Sequence, residues 1–425
     1  MRREEISALG DLAGDAAAGA ARQIHELHFG IAGRVWKRVG PAALPVKFAH
    51  DRIARSAYSA ATEMTRSVVR AGVQAASRAQ SPDAPSIERT PAGRVVVSAL
   101  NGVFGDTLVR RGNPLALRMT VRRRGRDLEL TRPALTRAYP NAKPRIAVFV
   151  HGLCETDEAW KLGAGRHVPY GHRMEIELGY TPVYLRYNTG RHISENGREF
   201  AELLERLVLQ WPVPVDEVVL VGHSMGGLVG RSACHYGADS ACMAKVRHVF
   251  TLGTPHHGAP LEQAANAASA ALARLPETRP LARALNLRSS GIKDLRYGYL
   301  VDECWMDQDC DAYLRNTAKE IPFLPTARHY FICATLTREA DAAAGRIIGD
   351  LLVLQPSAWA SDGRGKRMQF PIEHYYHVGQ ANHFDLLNHP AIFGQMRRCL
   401  GSQRVLPAAA ELDGRRRLTA APQRP

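Results

Sequence analysis

The sequence predicts an α/β fold, a mostly parallel β-sheet with helices on both faces. Two observations support this prediction. Short apolar runs rich in β-branched residues alternate with longer helical patterns from residue 145 to residue 400, which is typical of parallel strands joined by helices. In addition, the run VVLVGHSMGGLVG, from Val218 to Gly230, passes from an apolar strand pattern through glycines directly into a helical pattern. Because ligands collect at the carboxyl ends of parallel strands, functional side chains are expected there.

Length and composition describe a folded protein with room for a large core. The chain has 425 residues, of which 45% are hydrophobic and 23% are charged. The net charge of +15 attracts anionic surfaces, but no nucleic-acid motif accompanies it, so we interpret it as a bias toward Arg and expect no nucleic-acid partner. The seven cysteines have no metal-ligand spacing, and no metal site is expected. Cys304 and Cys310 are close enough in sequence to bridge in an oxidising compartment.

Residues 1–80 are rich in Ala and Arg, which predicts an N-terminal helical region. Between residues 51 and 79, apolar side chains recur every three or four positions, as on one face of a helix. They are Ile53, Ala57, Ala60, Met64, Val68, Ala71 and Ala75. Packing of this face on the neighbouring domain is the preferred interpretation, because Ala predominates. A lipid surface is the alternative, and residues 24–36, with larger apolar side chains, suit a lipid surface better.

The first residues, MRREEISALGDLAG, lack the apolar core of a secretory signal. No apolar run reaches the length of a membrane span. We therefore expect a cytoplasmic protein, with peripheral membrane contact through the N-terminal helices as an open alternative.

Residues 81–140 are predicted to be a linker with short strands that lead into the main domain. They begin with a Pro/Ser-rich break. RVVVSALNGVFGDTLV is compatible with short strands or with a strand and a helix, and LALRMTVRRRGRDLEL, with Gly125 at its centre, predicts a β-hairpin.

Residues 141–400 are predicted to form the α/β domain. Its strand-like runs are IAVFVHG, TPVYLRYN, VVLVGH, HVFTLGTPHHG, HYFICATL and HYYHVGQANH. The segment 258–325 is too long for a simple connection, and its Ala-rich composition predicts a helical cap insert. The basic tail 401–425 is expected to be disordered.

Ser224 is the candidate nucleophile, because it lies between Gly222 and Gly226-Gly227 where the strand turns into the helix. Residues without a Cβ allow strand and helix to approach closely, and this turn exposes the serine at the end of the strand. A serine hydroxyl is almost un-ionised at neutral pH, so it needs a base, and imidazole has a suitable pKa. His383, at the end of the last strand run, is the favoured base. Four other histidines lie at strand ends and are candidates for shaping the substrate site: His151, His223, His256 and His257.

A carboxylate is expected to fix the tautomer of the base. Asp350 lies between Ser224 and His383 in the chain, between apolar neighbours where an unpaired carboxylate is costly. Asp341 and Asp362 are its rivals. Two backbone N–H groups are expected to bind the oxyanion, those of Leu153 and Met225.

Five motifs in order, VFVHGLCETDEAW, VVLVGHSMGGLVGR, TLGTPHHGAPLEQ, GDLLV and NHFDLLNHP, resemble the lipase/esterase branch of the α/β-hydrolase superfamily. The likeness is to bacterial proteins similar to GPI-inositol-deacylase and lipase-like hydrolases, and it covers residues 145–399. It implies Ser224 as nucleophile, Asp350 as acid and His383 as base, with the oxyanion hole already named. The family often has Gly after the acid, whereas Leu351 follows Asp350 here.

The expected function is that of a serine carboxylester hydrolase, an esterase or lipase, which forms an acyl-enzyme on a small-molecule or lipid ester. No cofactor is required for this chemistry. The same site on a thioester, a polyester or an acyl acceptor other than water remains open. So does a role as a membrane- or granule-associated binding protein.

Overall fold

The structure is a computed structural model that describes residues 1–39, 44–81, 83–275, 278–313, 315–339, 349–360 and 370–401. Eight strands are described: β1 Thr120–Arg123, β2 Arg126–Leu128, β3 Arg145–Val150, β4 Thr181–Arg186, β5 Glu217–His223, β6 Val246–Leu252, β7 Arg328–Thr335 and β8 Tyr375–Gly379. The helices are α1 Arg3–Val39, α2 Leu44–Ala79, α3 Pro91–Arg110, α4 Arg132–Ala138, α5 Tyr170–Glu177, α6 Ile193–Gln210, α7 Met225–Tyr236, α8 Pro260–Leu272, α9 Arg279–Leu285, α10 Ser290–Asp294, α11 Gln355–Ala358 and α12 Pro390–Gly401.

One sheet organises these elements, with the strand order β2-β1-β4-β3-β5-β6-β7-β8. Strands β3 to β8 are parallel to one another, and β1 joins β4 antiparallel. The predicted α/β fold with a mostly parallel sheet is confirmed. Since β5 lies in the middle, the loop that follows it opens at the centre of the carboxyl edge.

Two hydrophobic cores cover the two faces of the sheet. Side chains alternate along β3, so that Ile146 and Val148 enter one core while Ala147 and Phe149 enter the other. The first core is closed by α6 and α7, and the second by α5 and α12. Strands buried on both faces read as continuous apolar runs, which is why their sequences revealed them.

The segment 81–140 contains a long helix where the sequence favoured short strands. Helix α3 begins after Thr90, whose hydroxyl accepts a hydrogen bond from Gly93 N–H, and Pro91 occupies its first turn. These end signals outweigh the β-branched run Val95–Val97. The predicted hairpin is present as β1 and β2, and its turn places both Arg124 and Gly125 at positive φ.

The predicted cap insert is helical only in its first half. Helices α8, α9 and α10 are followed by a short 3₁₀ turn, Asp302–Cys304, and the described residues between this turn and β7 contain no further helix or strand. Cys304 and Cys310 are free thiols. The predicted disordered tail, 401–425, lies outside the described residues except for Gly401.

Helices α1 and α2 run antiparallel, since the Cβ position of Gly10 meets Val73 and the His28 ring lies 5.1 Å from that of His50. The apolar face of α2, residues 53–75, does not pack on the neighbouring domain as preferred from the sequence. Its members point to solvent, with Ile53 70% and Met64 71% exposed. The opposite face of α2 contacts α1, so the apolar face formed by residues 53–75 has no neighbour among the described residues. No helix in the described part of the chain is long and apolar enough to cross a membrane.

Candidate active site

Ser224 lies on the turn between β5 and α7 in a strained backbone conformation, with φ 52° and ψ −124°. Ser224 N–H donates to Leu252 O of β6, which holds the turn to the sheet. A Cβ on Gly226 would lie 2.2 Å from Val150 O, so only glycine lets α7 pass the end of β3. The side chain of Ser224 is thereby held at the centre of the carboxyl edge.

His383 and Asp350 form a buried pair beside this turn. Asp350 follows β7 and is 1% exposed, and His383 follows β8 and is 3% exposed. His383 Nδ1–H donates to Asp350 Oδ2 at 2.7 Å, because a carboxylate only accepts. The bond leaves Nε2 as the nitrogen with a free lone pair. The backbone repeats the link, since His383 N–H donates to Asp350 O at 3.0 Å.

A tight turn fixes the Asp350 carboxylate. Its Oδ1 accepts hydrogen bonds from the N–H groups of Leu352, at 3.0 Å, and Val353, at 2.8 Å. Leu351 has φ 86°, a conformation that glycine adopts without strain. A glycine in place of Leu351 would adopt this conformation without strain. The rival carboxylates Asp341 and Asp362 lie outside the described residues.

The candidate oxyanion donors flank Ser224. Met225 N–H is at the first position of α7, where the N–H groups have no partner within the helix. In the loop after β3, Gly152 N–H donates to Glu155 and Cys154 N–H to Thr189 Oγ1. Leu153 lies between these two anchored residues and lines the cavity that contains Ser224.

A cavity of about 280 Å³ opens onto these groups. Ser224 and His383 lie on its wall together with Glu155. Residues of the segment 258–325 contribute most of the remaining wall. The apolar lining residues are Leu153, Pro255, Ala259, Leu261, Ala265, Ile292, Leu295, Leu352, Val353 and Phe384. Such a wall suits a hydrocarbon chain.

Sequence reasoning missed Glu155. Its carboxylate accepts a hydrogen bond from Gly152 N–H at 2.7 Å and lies 2.9 Å from His223 Nδ1. Burial would raise the pKa of Glu155, but the charge on His223 and the two hydrogen bonds outweigh burial and lower it. The available signal was an acid three residues after the strand-end glycine, Gly152, where a turn brings the side chain back to the loop.

The four histidines proposed to shape the substrate site lie behind the cavity wall. His151 is fully buried and stacks on Tyr187, and burial lowers its pKa. His256 is hydrogen-bonded to Arg231, and burial lowers its pKa well below the ordinary value. Neither these two histidines nor His223 and His257 are among the described residues that line the cavity. Their placement argues against direct contact with substrate.

Part of the chain matches a known protein family. Residues 147–300 match the PGAP1-like alpha/beta domain family. The match confirms the resemblance predicted from the sequence over this part of the chain, and with the sheet order it confirms the α/β-hydrolase fold. No curated protein matches the chain in sequence.

Several solved structures are similar in part. The mature lipase BlEst2 of Bacillus licheniformis is 22% identical, with 61% of this chain and 93% of that chain covered and a TM-score of 0.39. A metagenomic carboxyl esterase is 15% identical, with 75% and 96% covered and a TM-score of 0.36. EstA of Clostridium botulinum is 12% identical, with 62% and 89% covered and a TM-score of 0.35.

Proposed function

We propose that the protein hydrolyses carboxylic esters through a Ser-His-Asp triad and an acyl-enzyme. One observation carries the proposal. Ser224, strained at the end of the central strand, shares a cavity wall with His383, whose other ring nitrogen donates to the buried Asp350 at 2.7 Å. This arrangement gives a nucleophile, a base of defined tautomer and a group that balances the charge formed on the base.

In the proposed mechanism, His383 Nε2 takes the Ser224 proton as the hydroxyl oxygen attacks the ester carbonyl. The N–H groups of Leu153 and Met225 bind the oxyanion, each contributing about 3 kcal/mol. The imidazolium then protonates the leaving alcohol. Water, activated by the same imidazole, releases the acid.

The cavity size predicts the preferred acyl chain. A volume of about 280 Å³ corresponds to about nine groups the size of a water molecule, at about 30 Å³ each. Among p-nitrophenyl esters of two to sixteen carbons we expect the highest kcat/KM at about six to ten carbons. Ala265→Phe narrows the cavity and should move the optimum to shorter chains. Ala264 is exposed on the same helix, so Ala264→Phe is the control and should leave the optimal chain length unchanged. An optimum that does not respond to Ala265→Phe contradicts the assignment of this cavity.

The same proposed triad and oxyanion donors would serve for thioesters, for polyesters and for acyl acceptors other than water. The partition of product between water and added alcohols separates hydrolysis from acyl transfer. A wild-type protein that is folded but inactive on every ester would favour the acyltransferase or the binding-protein interpretation.

We also propose that helix α2 binds an anionic lipid surface through the stripe that the structure leaves exposed. Val68, a further member of this apolar face, is 66% exposed. Arginines accompany it and are exposed: Arg52, Arg55, Arg70 and Arg78. These charges attract anionic headgroups, whereas they repel a second copy of the same helix. Several side chains of the earlier candidate, residues 24–36, lie outside the described residues, so the proposal rests on α2.

Vesicle co-sedimentation tests the lipid contact. We expect binding to vesicles that contain phosphatidylglycerol, weaker binding to phosphatidylcholine alone, and a loss of about fivefold for each arginine changed to Gln. The combination Ile53→Glu, Met64→Glu and Val68→Glu should abolish it. Ile176→Glu and Ile372→Glu, at exposed apolar sites on other elements, are the controls. Equal binding to both vesicle types, or dimerisation seen by light scattering, would overturn the proposal.

A further inference from the structure

We infer that Glu155 and His223 form a buried ion pair that positions the oxyanion loop against the nucleophile turn and against the loop of the catalytic base. The inference rests on the proposed ester hydrolysis and adds two positioning residues to it. Neither residue belongs to the proposed triad, and the sequence assigned His223 only to shaping the substrate site.

The hydrogen bonds of His223 require it to be an imidazolium. Its Nδ1 lies 2.9 Å from the Glu155 carboxylate, and its Nε2 lies 3.1 Å from the backbone oxygen of His383. Carboxylate and carbonyl oxygens only accept hydrogen bonds, so both ring nitrogens must donate, and only the protonated ring carries two N–H groups. A buried imidazolium is stable when an anion neutralises it, and Glu155 is that anion.

The pair connects three segments that are distant in sequence. Glu155 Oε2 accepts from Gly152 N–H at 2.7 Å, which fixes the residue before Leu153, the proposed oxyanion donor. His223 immediately precedes Ser224. Its second N–H holds His383 O, on the loop after β8. A displacement of about 1 Å in such a group costs about 10²-fold in rate, so these three bonds bear directly on turnover.

Charge balance gives the pair a second role. A Cβ on Gly152 would lie 3.0 Å from Ser224 Cβ and 3.2 Å from Glu155 Oε2, so the carboxylate is close to the nucleophile. An uncompensated anion there would oppose the negative charge that develops on the substrate oxygen. The charge on His223 cancels it. Removing the proton from His223 would therefore harm both the position and the electrostatics of the site.

The surroundings of the pair set the direction of its pH dependence. Titratable groups near the pair are His151, Cys154, Tyr187, Asp350 and His383, and its other ring neighbours are Trp160 and Phe384. Burial opposes the charge on His223, but the Glu155 carboxylate and its hydrogen bond outweigh burial and raise the pKa of His223. The protonated pair therefore stabilises the folded protein fully at pH values below the pKa of His223 in the unfolded chain, about 6.5. This stabilisation is lost as the pH rises through the raised pKa of His223 in the folded protein.

The test compares pH profiles of kcat for p-nitrophenyl octanoate, with a fluorophosphonate probe to count reactive Ser224. In the wild type, kcat should fall on the alkaline side. Glu155→Gln, which keeps the shape without the charge, should lower kcat about 10²-fold with little change in KM and move this fall to lower pH. Because Gln does not titrate, His223→Gln should lower kcat and remove its decrease at alkaline pH. The double variant should lose no more than either single variant, since the two act as one unit.

A matched control is the pair that His192, at the start of α6, forms with the buried Asp294 of the cap. Its Nδ1–Oδ1 distance is 3.0 Å, and Asp294 raises the pKa of His192 in the same direction, against the effect of burial. His192→Gln should lower stability and leave the alkaline fall in place. Wild-type kcat and pH profile in Glu155→Gln would overturn the inference. A wild type that neither hydrolyses the ester nor reacts with the probe would instead overturn the proposed function.

Discussion

Ser224→Ala is expected to lower kcat for p-nitrophenyl esters by about 10⁴ to 10⁶-fold while the melting temperature stays within a few degrees of wild type. Alanine has no hydroxyl to attack the ester, and the backbone of the turn is held by the glycines and by the bond from residue 224 N–H to Leu252 O. The Ser224 side chain makes no capping bond to α7, so its removal leaves the helix intact. Initial rates and circular dichroism melting measure the two quantities.

Ser232→Ala is the matched control for this experiment. Ser232 is a buried serine on the same helix, and its hydroxyl donates to Leu300 O at 2.7 Å. Its loss should cost about 1 kcal/mol of stability and leave kcat near the wild-type value. Full esterase activity in Ser224→Ala would show that another group is the nucleophile.

Asp350→Asn is expected to lower kcat by about 10⁴-fold with the turn preserved. An Asn side chain can still accept from the N–H groups of Leu352 and Val353 through its single oxygen. The atom that faces His383 then becomes an NH₂ group, which cannot accept from Nδ1–H. The imidazole is driven to the tautomer with the proton on Nε2, where it cannot act as the base.

The comparison with Asp294→Asn separates this effect from general destabilisation. Asp294 is also 1% exposed and paired with a histidine, but it lies in the cap, where it accepts from Ile193 N–H at 2.8 Å. We expect a lower melting temperature and a much smaller change in kcat for that variant. If both variants lost the same fraction of kcat at equal loss of stability, Asp350 would have only a structural role.

The sequence predicted most of the site because each part leaves a local signal. The glycines around Ser224 are required by close contacts, such as that of Gly226 with Val150 O. Strands such as β5 are buried on both faces, so their apolar runs are continuous. Asp350 and His383 follow from chain order and from the cost of burying an unpaired carboxylate.

What the sequence did not predict depends on contacts between distant segments. The partners of Glu155 are at residues 152 and 223, and nothing near Glu155 in sequence indicates that His223 will neutralise it. Helix α3 was missed because β-branched residues favour strands locally, whereas its buried face is chosen by packing against α1 and the segment 115–117. The exposed face of α2 has the period of a packed helix, and only the fold shows which side meets α1.

Strand β8 is the edge of the sheet and pairs only with β7 among the described strands. An edge strand opens at lower free energy than the strands at the centre, where both sides are paired. His383 follows this edge strand, while Ser224 follows the central β5. Local opening of the edge would therefore separate the proposed base from the proposed nucleophile before the sheet unfolds, so we expect catalytic activity to be lost more readily than the fold.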